Sequence, residues 1–352
     1  MKMERGTMST SEYAKKLLVQ DIKDIINLIS IIKQEDQPIF MLASMPYICL
    51  IFKEGYDWCA RAKFQLPLFN SKDTLEKIRA RGKLFANDRY LSFDEQFISI
   101  EQLIKIEHKY YKGLAKPYAP DFLIDDIGTY WIGDLCIGNT IQYAYDFSPF
   151  SKDDKSIHQS GQEIYEFSYE VGRAYQEIHT MLTGNRCILD NDASIQIKEP
   201  TNLDYKFKRS FKSIRNIIIQ SLICRINFLL YYFKKYCREN SMLYLRIIYI
   251  TFYSLKNDFE ALNIVQDDIF DSRHNSTFRN SMAHYSLYDK ITETEIMPNV
   301  LGYGLIEKYF GCDYSSFVGI IETKLLSLKI LLENQFSLGI KQGYDPDRLS
   351  SK

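Results

Sequence analysis

No C-x-x-C pair occurs anywhere in this 352-residue chain, and its seven cysteines are odd in number. That argues against a zinc ribbon and against a disulfide framework, and points to a reducing compartment. There is no Gly-rich phosphate loop, no G-x-S-x-G elbow and no H-E-x-x-H helix, which sets aside the common nucleotide-binding, serine-hydrolase and zinc-protease chemistries. Neither sign of charge is in excess: 44 Lys and Arg face 45 Asp and Glu, so the chain is not basic throughout. Residues 1–10 are polar and lack the apolar stretch of a signal peptide. Of the two most apolar segments, 38–52 is too short to span a bilayer and contains Pro46. The other, 214–233, carries Arg215, Asn216, Gln220, Arg225 and Asn227. Each ionised residue at a bilayer centre costs about 2.5–3.5 kcal/mol, so a buried helix of a cytoplasmic protein is expected, with no membrane partner.

Apolar residues make up 46% of the chain and charged residues 25%, the balance of a folded globular protein. At about 150 residues per domain the length suggests two domains. The clearest seam is the cluster of turn formers at 184–204, which includes Gly184, Asn185, Asp190, Asn191, Asp192, Pro200 and Asn202. Beyond it the three- and four-residue spacing of Phe207, Phe211, Ile214, Ile218, Leu222 and Leu229 predicts a helix over 204–238. Further helices are expected over 241–262 after Ser241, from Ser276 to about Tyr288, and over 314–336. Four helices in that length describe a bundle. The first half reads as helical over 11–34, 99–112 and 161–182, with short strands at 90–100 and 194–198 and a loop at 147–160. The expected fold is therefore mostly α: an N-terminal domain at 1–200, mainly helical with small strand elements, and a C-terminal four-helix bundle at 201–345.

The segment Thr277-Phe278-Arg279-Asn280-Ser281-Met282-Ala283-His284-Tyr285 carries the most chemistry. A guanidinium clamps a phosphate with two donors, and an imidazole moves protons near neutral pH. Together they suit attack of an RNA 2′-hydroxyl on the adjacent phosphodiester, which needs no metal. On one helix Arg279 and His284 would lie about 140° apart around the axis, so a cleft or a second chain would have to bring them together. This segment resembles the R-x(4–6)-H motif of the HEPN superfamily, in its common form Arg-Asn-x-x-x-His near the start of the third helix of a four-helix bundle. Arg279, Asn280 and His284 occupy the three positions, and the resemblance covers about 204–338. It implies a metal-independent endoribonuclease without a cofactor, acting as a homodimer in antiviral defence or a toxin system. An activator or antitoxin would then act on the N-terminal domain. Carried over, Arg279 binds the phosphate, His284 is general base or acid, and Asn280 orients the segment. The alternative is a HEPN-like bundle that only dimerises or binds RNA. Arg173 and His179 also satisfy the spacing, but without the adjacent Asn and outside the bundle.

Residues 204–246 hold ten Lys or Arg and two acids, Asp204 and Glu239. On the expected helix Lys208, Lys212 and Arg215 form one stripe with Lys206 and Arg209 beside it, which would track RNA phosphates. The adjacent acids Asp125-Asp126 and Asp153-Asp154 are weak magnesium candidates, since neighbouring residues point different ways. The cysteines, Trp58 and Trp131 are expected in the core or at packed contacts.

Overall fold

The computed structural model describes residues 10–34, 38–115, 126–147, 157–187, 204–209, 213–264, 268–285, 296–297 and 300–340. These are mostly helical. The first half contributes α1 (Thr10–Gln34), α2 (Pro38–Arg61), α3 (Lys72–Gly82), α4 (Phe93–Ala115), α5 (Thr140–Asp146) and α6 (Ile157–Thr183). Three strands, β1 (Asp126–Ile132), β2 (Leu135–Asn139) and β3 (Asp204–Arg209), form an antiparallel sheet in the order β2-β1-β3. The second half contributes α7 (Ile214–Asn227), α8 (Met242–Ala261), α9 (Ser276–Ala283), α10 (Leu305–Phe310) and α11 (Tyr314–Ile340). Helix α7 runs on through a π-helical stretch, Phe228–Phe233, and a last turn, Lys234–Tyr236.

The expected helices at 11–34, 99–112, 161–182 and 314–336 fall within observed ones, and 241–262 matches α8 to within one residue at each end. Three expectations need correction. Residues 90–100 form no strand: the Ser92 hydroxyl accepts from the Glu95 amide at 3.2 Å and the Glu95 carboxylate from the Ser92 amide at 2.7 Å. This reciprocal capping box starts α4 at Phe93 and overrides the apparent alternation. Residues 204–209 are not helical but pair with β1, with Asp126 opposite Arg209 and Lys206 opposite Thr129. The helix starts only at Ile214, where Ser213 accepts from the Asn216 amide at 3.2 Å. The third bundle helix is short, capped by Asn275 rather than Ser276, and it ends at Ala283. The expected strand at 194–198 and residues 148–156 of the expected loop lie outside the described residues; 157–160 begin α6.

One contiguous cluster of buried side chains runs through both halves, from Tyr13 and Phe52 through Tyr175 to Leu229, Phe252 and Leu328. Residues from both sides of position 200 belong to this cluster. The sheet sits on α7, where Asn139 donates to the Ser221 hydroxyl at 3.0 Å and Asn227 to the Cys136 carbonyl at 2.8 Å. Two helical stretches, Ile39–Arg61 and Ile214–Tyr236, are long and apolar enough to cross a membrane, but both are mostly covered by the rest of the fold. Five cysteines and Trp58 are buried, and Trp131 is half-buried with its indole nitrogen donating to Thr129.

Two glycines allow close approaches that position the elements of the site. A Cβ on Gly82, the last residue of α3, would lie 2.8 Å from the Pro46 carbonyl oxygen of α2. A Cβ on Gly55 would lie 2.6 Å from Leu18 and 3.4 Å from Tyr285. Close approach at these points sets α2 against α3 and against the segment that follows α9.

Candidate active site

His284 leaves the helix. It is the C-cap of α9, with φ −118° and ψ 142°, and its amide donates to the Asn280 carbonyl at 3.0 Å. The angular offset expected on a continuous helix therefore does not apply. In this extended conformation its Nδ1 lies 2.5 Å from the Glu54 Oε2 of α2. The Arg79 guanidinium of α3 bonds the other oxygen of the same carboxylate. Burial would push the Glu54 carboxyl up, but the hydrogen bond from His284 and the charge of Arg79 outweigh it and hold the group down at about 2. Glu54 is therefore ionised at neutral pH and can only accept. Because the ionised carboxylate can only accept, the proton of this bond is carried by His284 Nδ1.

Arg279 rises from the middle of α9. It donates from Nη1 to the Asn280 side-chain oxygen at 2.8 Å, and its guanidinium lies 5.5 Å from the centre of the Tyr253 ring. That ring is stacked at 3.9 Å on His274. Burial lowers the Arg279 pKa, and the neighbouring Arg79 adds to this while Tyr253 and Glu54 oppose it. What joins the two motif residues is thus the Glu54–Arg79 pair: His284 bonds it, and Arg279 lies within electrostatic reach of both members. Lys83, just past α3, completes the group. Burial, Arg79 and Arg279 push its ammonium down to about 8, against a weaker pull from Glu54.

The segment carrying His284 is pinned from both sides. The fully buried Arg246 of α8 donates from Nε to the Met282 carbonyl at 2.6 Å and pairs with Asp21 of α1. Tyr285 donates to that same Asp21 oxygen at 2.5 Å. The residues flanking His284 are therefore fixed to α1 and α8 by one buried ionic network.

Glu54, Arg79, Lys83, Asp21 and Arg246 were not singled out in the sequence. None lies near the motif in the chain, and a single Glu or Arg inside a long helix carries no local signature. The basic residues do not share one helix. Lys206, Lys208 and Arg209 belong to β3, Lys212 lies outside the described residues, and Arg215 donates to the Leu262 carbonyl at 2.9 Å, closing the end of α8. Arg173 and His179 stay apart from the site and from each other: Arg173 reaches the Leu68 carbonyl at 3.3 Å and Glu177, while buried His179 meets the Asn185 carbonyl at 3.0 Å. Of the magnesium candidates, Asp125, Asp153 and Asp154 lie outside the described residues and Asp126 opens β1. Among the described residues no three His, Cys, Asp or Glu side chains are grouped to hold a metal.

Comparison with family models, with curated proteins and with solved structures finds no match to this chain.

Proposed function

We propose that the protein is a metal-independent endoribonuclease of HEPN type, with its site at Arg279, His284 and Glu54. The observation that carries this reading is the ionised, buried Glu54 holding His284 by Nδ1 beside a group of cations. A carboxylate so placed selects the imidazole tautomer that accepts at Nε2 and stabilises the imidazolium formed when it takes a proton. His284 removes the proton from an RNA 2′-hydroxyl, O2′ attacks the adjacent phosphorus, and the P–O5′ bond breaks as the departing O5′ takes up a proton from the imidazolium or from water. Arg279 stabilises the charge that develops on the phosphoryl oxygens. Asn280 orients Arg279 through the bond between their side chains. The products are a 2′,3′-cyclic phosphate and a 5′-hydroxyl end. A role in antiviral defence or as a toxin, cytoplasmic location and control through the first half of the chain belong to the same proposal.

The test is incubation of the purified chain with mixed RNA in EDTA, beside His284→Ala and Arg279→Ala. Cleavage by the wild type, reduced about 100-fold or more in either variant, is expected. Equal cleavage by all three, or by none, contradicts the reading.

A further inference from the structure

The charges at this site do not balance. Arg79 and His284 bond one carboxylate, Glu54, and Lys83, one turn beyond Arg79, and Arg279 lie within electrostatic reach of it. Buried cations are normally matched, because an unpaired charge in a low-dielectric setting is costly. Here the Nε atoms of both Arg79 and Arg279 are buried without a hydrogen-bond acceptor. The half-buried Lys83 forms no ion pair or side-chain hydrogen bond among the described residues. The three cations come from the end of α3 and the middle of α9, and α2 supplies the carboxylate between them. The close packing of Gly82 on Pro46 brings the end of α3 against α2.

We propose that Arg79, Lys83 and Arg279 form one phosphate-binding pocket built entirely within a single chain, with Lys83 as the cation left for the ligand. This rests on the nuclease reading only for the identity of the phosphate as an RNA linkage; the pocket itself would take any phosphate group. It departs from the composite two-chain site that the motif resemblance implies, since the additional cations are supplied in cis by a helix outside the four-helix bundle. Lys83 contributes as a point charge and the two arginines as planar guanidinium groups. A bound phosphate offsets the surplus positive charge of the three and leaves the Glu54–His284 pair to handle protons. The groups facing Lys83 are Arg79 of its own helix, Arg279 of α9 and Glu54 of α2. Its low pKa makes phosphate binding fade in mildly alkaline solution, where Lys83 loses its proton and phosphate keeps its charge.

The experiment is calorimetric titration of the full chain with inorganic phosphate at pH 7.5 and 9.5, for the wild type, Lys83→Gln and Lys83→Arg, with thermal melts confirming folding. The wild type should bind at pH 7.5 and weaken roughly tenfold by pH 9.5. Lys83→Gln should bind at least about tenfold more weakly at pH 7.5. Lys83→Arg should bind with little change between the two pH values. Unaltered phosphate affinity in folded Lys83→Gln overturns the proposal, as does absence of phosphate binding by the wild type. In a second arm, Lys83→Gln and Arg279→Ala chains are mixed and assayed on RNA. Restored cleavage places the cations in different chains and overturns the single-chain pocket. Phosphate binding by a wild type that cuts no RNA upholds the pocket and refutes the nuclease reading alone.

Discussion

Glu54 is the residue on which the local chemistry turns, and its effect should be visible in stability as well as activity. Its folded pKa of about 2 lies below the ordinary carboxylate value near 4.5. A depressed carboxylate pKa contributes stability that is fully present above the unfolded value and is lost as pH falls through the folded one. Glu54→Gln should therefore cost on the order of 3 kcal/mol at pH 7, and the difference from wild type should vanish as pH falls from about 4.5 to 2. Urea unfolding across that range measures it. Asp21 tests the positioning network instead. It is fully buried between Arg246 and Tyr285, so Asp21→Asn leaves Arg246 an unmatched buried charge and should cost roughly 3–5 kcal/mol in denaturant melts. Where that variant remains folded, RNA cleavage should fall with its kcat, while phosphate affinity at Lys83 is retained.

At the scale of elements, the site depends on close approaches at two small residues: Gly82 sets α3 against α2, and Gly55 sets α2 against α1 and Tyr285. Gly82→Ala puts a Cβ against the Pro46 backbone oxygen, which cannot swing aside, so α3 must move away from α2. The expected outcome is a loss of about 1–3 kcal/mol in stability together with weaker phosphate binding. Gly55→Ala meets the end of the Leu18 side chain and should be milder. Element by element, the sequence was most legible where apolar spacing is long and regular, as in α1, α6, α8 and α11. It misled where a short-range signal competed with the period. Ser92 and Glu95 form a capping box inside a stretch that alternates, and the local hydrogen bonds decide for helix. Phe207 and Phe211 continue the spacing of α7 backwards, yet 204–209 are claimed by pairing to β1, a contact between residues some 75 positions apart that no local pattern encodes.

For the whole molecule, the motif was readable and its surroundings were not. Arg279, Asn280 and His284 could be named from one short segment, whereas Glu54 and Arg79 come from 200 or more residues earlier in the chain. A core shared between both halves means that the C-terminal helices do not carry the site alone. Residues 201–352 expressed without the first 200 lack Glu54, Arg79 and Lys83 and leave the faces of α8 and α9 uncovered. Such a fragment should be aggregation-prone, which size-exclusion chromatography reports, and should show no cleavage even where soluble.

In the proposed reaction the RNA's own 2′-hydroxyl is the nucleophile. Its most direct test is end-group analysis of RNA cut by the full chain in EDTA, beside a substrate carrying a 2′-deoxy residue at the cleaved position. The account predicts 2′,3′-cyclic phosphate and 5′-hydroxyl ends, and no cleavage at the deoxy position. Ends bearing a 3′-hydroxyl and 5′-phosphate, or cleavage that ignores the missing 2′-hydroxyl, would contradict it.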